Sequence, residues 1–164
     1  MTNEREKQKI SMKISFLKSD KMVFLVVFLA SFGLLVASNS ISMVGGDEGR
    51  FVFDAMQIEK GLWPVADHTT RGPLLLVLIH LSSKLFGLSL LAFRLPVMVL
   101  TALTASFLFL LGKELFSRRV GVVAAIIFAL NPYTLWNNLI IKTETPTLLF
   151  IVIALLAPLL LPDP

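Results

Sequence analysis

The sequence predicts an all-α integral membrane fold with about four transmembrane helices. An outer loop carrying juxtamembrane helices separates the first span from the second. Three observations point there. Hydrophobic residues make up 55% of the chain and mean hydropathy is +0.81, well above a soluble domain. The apolar residues fall in long runs, several close to the length that crosses about 30 Å of hydrocarbon. Basic residues cluster beside those runs, where they set orientation. The net charge of +4 is therefore a topology signal, and no nucleic-acid partner is read from it. No cysteine is present, which rules out a disulfide framework and a thiolate metal site.

Residues 1–21 form a polar, basic tail: Arg5, Lys7, Lys9, Lys13, Lys18 and Lys21 stand against Glu4, Glu6 and Asp20. Ile10, Met12, Ile14 and Phe16 alternate, so no helical apolar face is expected there, and the tail reads as solvated and cytoplasmic. Met22–Val44 has no charged residue. It is too long for the apolar part of a cleaved signal peptide and reads as a signal anchor that spans the membrane. The basic tail keeps its start inside. Asp47 then emerges on the outer face.

Residues 45–94 form the outer loop. Phe51, Ala55, Ile58 and Leu62 recur at helical spacing, which predicts a short amphipathic helix over Asp47–Lys60 lying on the membrane. Gly61-Leu62-Trp63-Pro64 ends it, with Trp63 suited to the interface. Pro73–Phe86 is apolar but too short to span and reads as an interfacial or re-entrant segment. Charge agrees: Leu95–Leu111 ends in Lys113, Arg118 and Arg119, an inside signal that a full crossing by Pro73–Phe86 would invert. Val120–Ile141 crosses back, carrying Asn131-Pro132, where the helix should kink or end. A short outer loop with Glu144 follows. The last span is 147–161. Domain bounds are thus 1–21 for the tail and 22–164 for the membrane part, with spans at 22–44, 95–111, 120–141 and 147–161.

Asp47, Glu48 and Glu144 share the outer side in this topology. Carboxylates from two loops can share a divalent cation, or one can act as a general base beside another. Asp47 and Glu48 are equally explained as acids capping the start of a helix, and Glu144 as a solvated loop residue near Lys142. Arg50, Arg71 and Arg94 lie on the same side, where guanidinium groups suit phosphate. His68 and His80 have no spaced partner for a zinc site.

Several motifs in order resemble the N-terminal part of a membrane glycosyltransferase of the GT-C class, of the protein O-mannosyltransferase and lipid A aminoarabinose transferase group. They are Asp47-Glu48 after the signal anchor, Gly61-Leu62-Trp63-Pro64, Arg71-Gly72-Pro73, Phe93-Arg94-Leu95-Pro96, Leu111–Arg119 leading into Gly121–Pro132, and Glu144 in the next outer loop. The resemblance covers roughly residues 40–155. It implies transfer of a sugar from a polyprenyl-phosphate carrier to a protein, lipid or glycan acceptor at the outer face of the bilayer. Asp47 then inherits the catalytic base, and Glu48 and Glu144 become acceptor-binding or supporting acids. Arg71 stands where the family usually carries Lys, and Arg71 and Arg94 become candidates for the lipid phosphate. No cofactor is implied beyond a divalent metal near Asp47 and Glu144. Relatives carry more spans, so the chain reads as an N-terminal fragment. The alternative is a small polytopic membrane protein without catalysis, acting as a scaffold or assembly partner.

Overall fold

A computed structural model describes residues 2–39, 46–62, 73–137 and 140–161; the side chains of 2–18, 46, 47 and 137 lie outside the described set. All the regular structure among the described residues is helical: α1 Thr2–Ser38, α2 Gly46–Glu59, α3 Pro73–Phe86, α4 Leu90–Leu115, α5 Arg118–Leu130, α6 Pro132–Asn137 and α7 Glu144–Leu160. The chain is an integral membrane protein. Two helices are long and apolar enough to cross a bilayer, Ser19–Ser38 within α1 and all of α4.

The helix bounds of α2 and α3 agree with the sequence reading, and those of α1 do not. α1 runs back to Thr2 through the tail, in which no helical apolar face is expected. The alternating apolar residues carried less weight than propensity: residues 2–32 contain no Gly or Pro and many strong helix formers. Asp20, expected in a solvated tail, is buried. Lys113 Nζ lies 3.0 Å from one of its oxygens and Arg118 Nε 3.4 Å from the other. Ser19 Oγ accepts from Arg118 at 2.6 Å. This cluster ties the middle of α1 to the end of α4 and the start of α5.

α4 is the central helix and packs against α1, α3, α5 and α7. It begins at Ser89, whose extended backbone lets its hydroxyl accept from Ala92 N at 3.1 Å, satisfying an otherwise free N–H. Gly87, with φ of 84°, supplies the left-handed turn between α3 and α4 that residues with a Cβ disfavour. Pro96 lies inside α4 and cannot donate to the carbonyl of Ala92. Ser82 of α3 takes that place, its Oγ donating to Ala92 O at 2.6 Å. A proline that should weaken the helix thus becomes a docking point between two helices. On the α1 side, Ser106 Oγ donates to Phe24 O at 3.2 Å, and the Phe24 and Phe107 rings meet edge to face at 5.4 Å.

The α4–α5 turn is closed by Ser117, which accepts from Val120 N, and the two helices then pack at Gly112 and Gly121. A Cβ on Gly121 would sit 2.3 Å from Phe109 O, and one on Gly112 would sit 2.8 Å from Gly121 Cα. Two small residues allow backbone-to-backbone approach, the usual device of helix pairs in lipid.

The expected third span, Val120–Ile141, is divided. α5 stops at Leu130; Asn131 is extended at φ −62°, ψ 124°, as the residue before a proline prefers. Its Oδ1 then accepts from Tyr133 N at 2.8 Å and starts α6. The 13-residue α5 and 17-residue α7 are each shorter than a full span of about 20 residues, so the structure shows the helical membrane class and leaves the count of four spans as an expectation.

Candidate functional site

The site is built at the Ser89 end of α4. α2 places Phe51 and Ala55 in a buried cluster with Leu75, Leu76 and Ile79 of α3, Phe93 and Val97 of α4, and Ile141, with Val52, Ile58 and Leu100 packed against it. The apolar face of α2 expected to lie on lipid is therefore covered by protein at Phe51, Ala55 and Ile58, while Phe53 and Met56 on its other side are exposed. His80 is half-buried in α3 with Nδ1 3.2 Å from Ala55 O, a further tie between α2 and α3.

Packing of this face turns the first turn of α2 onto α4. Glu48 and Arg94 are both fully buried. Arg94 Nε donates to Glu48 Oε1 at 2.6 Å and a terminal nitrogen donates to Oε2 at 2.8 Å. The other terminal nitrogen donates to Asn39 Oδ1 at 3.0 Å. One guanidinium thus joins the end of α1, the start of α2 and α4. The two parallel charge-assisted bonds fix orientation as well as distance, and each charge is tolerable in the interior because the other is there. Neither partner announces this pairing in the sequence, where they lie 46 residues apart.

Asp47 falls in the same first turn of α2; its side chain is outside the described residues, as are Arg71, His68 and Trp63. Arg50 is exposed. Asp54, two turns further along α2, is buried, and its Oδ2 has no hydrogen-bond partner among the described residues.

Glu144 opens α7 and lies elsewhere. It lines a cavity of about 100 Å³ with Thr101, Thr104, Phe128, Tyr133, Thr134, Thr145 and Leu148. Thr101 and Thr104 donate to Val97 O and Leu100 O of their own helix. Arg94 and Thr104 are separated along α4 by about 15 Å at 1.5 Å per residue. Glu48 is held near the start of α4, and the cavity that Glu144 lines meets that helix roughly two to three turns further along, at Thr101 and Thr104. Among the described residues no three acids or histidines gather in a way that could hold a metal ion. Both oxygens of Glu48 are committed to Arg94.

Comparison with known proteins gives one match. The family described as dolichyl-phosphate-mannose-protein mannosyltransferase matches residues 67–161. That stretch contains Arg71, Arg94 and Glu144 and begins after Asp47 and Glu48. No curated protein and no solved structure matches the chain significantly.

Proposed function

Because the chain belongs to the dolichyl-phosphate-mannose-protein mannosyltransferase family, we propose that it serves sugar transfer from a polyprenyl-phosphate carrier to a hydroxyl of a protein or glycolipid at the outer membrane face. The observation that carries the reading is the buried Arg94–Glu48 pair. It holds the first turn of α2 in one place, and with it the adjacent acid, Asp47. A general base needs that: it works only within hydrogen-bond reach of the proton it removes.

In this mechanism Asp47 takes the proton from the acceptor hydroxyl as its oxygen bonds to the anomeric carbon. The bond between that carbon and the carrier's phosphate oxygen breaks, and its electron pair leaves with the polyprenyl phosphate. Glu48 is a positioning residue, because Arg94 occupies both its oxygens. Arg94 is one too, because Glu48 and Asn39 occupy its nitrogens. The leaving phosphate then falls to other cations of the same segment, Arg71 first and the exposed Arg50 second. Glu144, among threonine and tyrosine hydroxyls, offers acceptors and donors suited to a sugar or acceptor hydroxyl.

The test is sugar transfer by the full gene product carrying Asp47→Asn. Loss of a general base lowers the rate by about a hundredfold or more. Unchanged transfer at equal protein levels would remove Asp47 from the mechanism.

A further inference from the structure

A second feature runs along α1 and α5, with its polar end at Ser19 and Arg118. α1 and α5 diverge above the Asp20 cluster and leave a groove of about 680 Å³. Its walls are Val23, Val26 and Ala30 of α1 and Val122, Ile126 and Ala129 of α5, all apolar, and its Asp20 end is polar, with Ser19 and Arg118. From Ser19 to Leu34, which also lines it, the groove extends about 22 Å at the helical rise. A single leaflet contributes about half of the 30 Å hydrocarbon core, so the groove is deep enough for one acyl chain from the Ser19 side. Arg118 lines the polar end, the mouth of the groove. Among the described residues Lys21 and Arg119 flank the lining Met22 and Arg118 in sequence, while Lys113 and Arg118 are paired with Asp20 and Lys113 also with Glu114. Lys21 and Arg119 are exposed, whereas Arg118 is partly occupied by Ser19 and Asp20.

We infer that this groove holds one acyl chain of an anionic phospholipid, with its phosphate headgroup at Lys21, Arg118 and Arg119. An apolar chain moving from bilayer to an apolar groove gains no hydrophobic free energy, because both surroundings are alike. Selection therefore comes from the headgroup and the excess positive charge at the mouth. Basic pockets between membrane helices recognise anionic headgroups in this way. The site is separate from Asp47 and Glu144 and does not depend on sugar transfer.

Native mass spectrometry tests it, using the full chain purified in detergent with equal phosphatidylglycerol and phosphatidylcholine. The native chain should retain one lipid and favour phosphatidylglycerol by about fivefold or more, the effect of roughly one basic residue at the surface. Ala30→Phe together with Ala129→Phe fills the groove and should abolish retention with helix content unchanged. Lys21→Gln with Arg119→Gln changes only exposed side chains and should leave a lipid bound without preference between the two. Equal retention of both lipids by the native chain, or retention undiminished in the filled variant, overturns the inference. So does a disulfide between two copies of a Val26→Cys chain, since a second copy would then cover the groove.

Discussion

Arg94 and Glu48 face each other as two parallel hydrogen bonds of 2.6 and 2.8 Å in a fully buried setting. The pair links α2 to α4, and Asn39 extends it to the end of α1. Glu48 is the chain neighbour of Asp47, so the pair anchors the helical turn that carries the proposed base.

Asp47 and Glu48 should therefore respond differently to the same kind of change. Asp47→Asn is expected to lower transfer about a hundredfold with the melting temperature preserved. Glu48→Gln leaves Arg94 buried beside a neutral partner and should destabilise by about 3 kcal/mol, lowering melting temperature and transfer together. Arg94→Lys cannot reproduce the two parallel bonds and should resemble Glu48→Gln. Thermal melting in detergent beside a transfer assay separates the two classes; equal melting losses for Asp47→Asn and Glu48→Gln would contradict the assignment.

Gly121 should tolerate no side chain. A Cβ there meets Phe109 O at 2.3 Å and Lys113 N at 2.9 Å, both backbone atoms that cannot turn aside. Gly121→Ala is expected to force α4 and α5 apart and to destabilise by about 2 kcal/mol, in the range of overpacked cores. Gly33, with nothing within 4 Å of its added Cβ, is the control: Gly33→Ala should be neutral or slightly stabilising. Melting temperatures of the two variants decide it.

Ser82 and Pro96 should be coupled. Ser82→Ala leaves Ala92 O without its partner from α3 and should cost about 1–2 kcal/mol. In a Pro96→Ala background, residue 96 regains an N–H that can serve the same carbonyl, and the cost of Ser82→Ala should shrink by at least half. A double-mutant cycle on unfolding free energy measures the coupling. Additive effects would mean that the hydroxyl does not replace the missing donor.

Glu144 should act on binding more than on the fold. It is exposed, so Glu144→Gln is expected to leave melting unchanged and to reduce transfer about tenfold through KM, the signature of a lost binding contact. Thr101→Val, which removes a hydroxyl from the same cavity, should move KM in the same direction. An effect on kcat alone would place Glu144 in the chemical step instead.

The membrane class was legible because hydrophobic excess and run length are local properties of the chain. So were α2 and α3, whose apolar spacing, flanking glycines and starting proline are all within one turn of their ends. The break at Asn131 was legible too, since Pro132 acts on its immediate neighbours. Orientation and span number remained expectations, because charge bias ranks topologies without measuring them. The long α1 was misread through the alternating apolar residues of its tail.

What tertiary structure alone decided are relationships between distant residues. Arg94 read as a candidate for the lipid phosphate, and the structure pairs its guanidinium with Glu48 and Asn39. Asp20 read as solvated, and it is buried between Lys113 and Arg118. Glu48 and Glu144 read as acids on one side of the membrane, and the structure gives them different surroundings, Glu48 against Arg94 and Glu144 in a cavity with Thr101 and Thr104. A sequence by itself determines which segments leave water and where a helix can begin or end, since both depend on neighbouring residues. Which buried charge meets which partner depends on how the helices pack, and that is settled only when the whole set of apolar faces is covered at once.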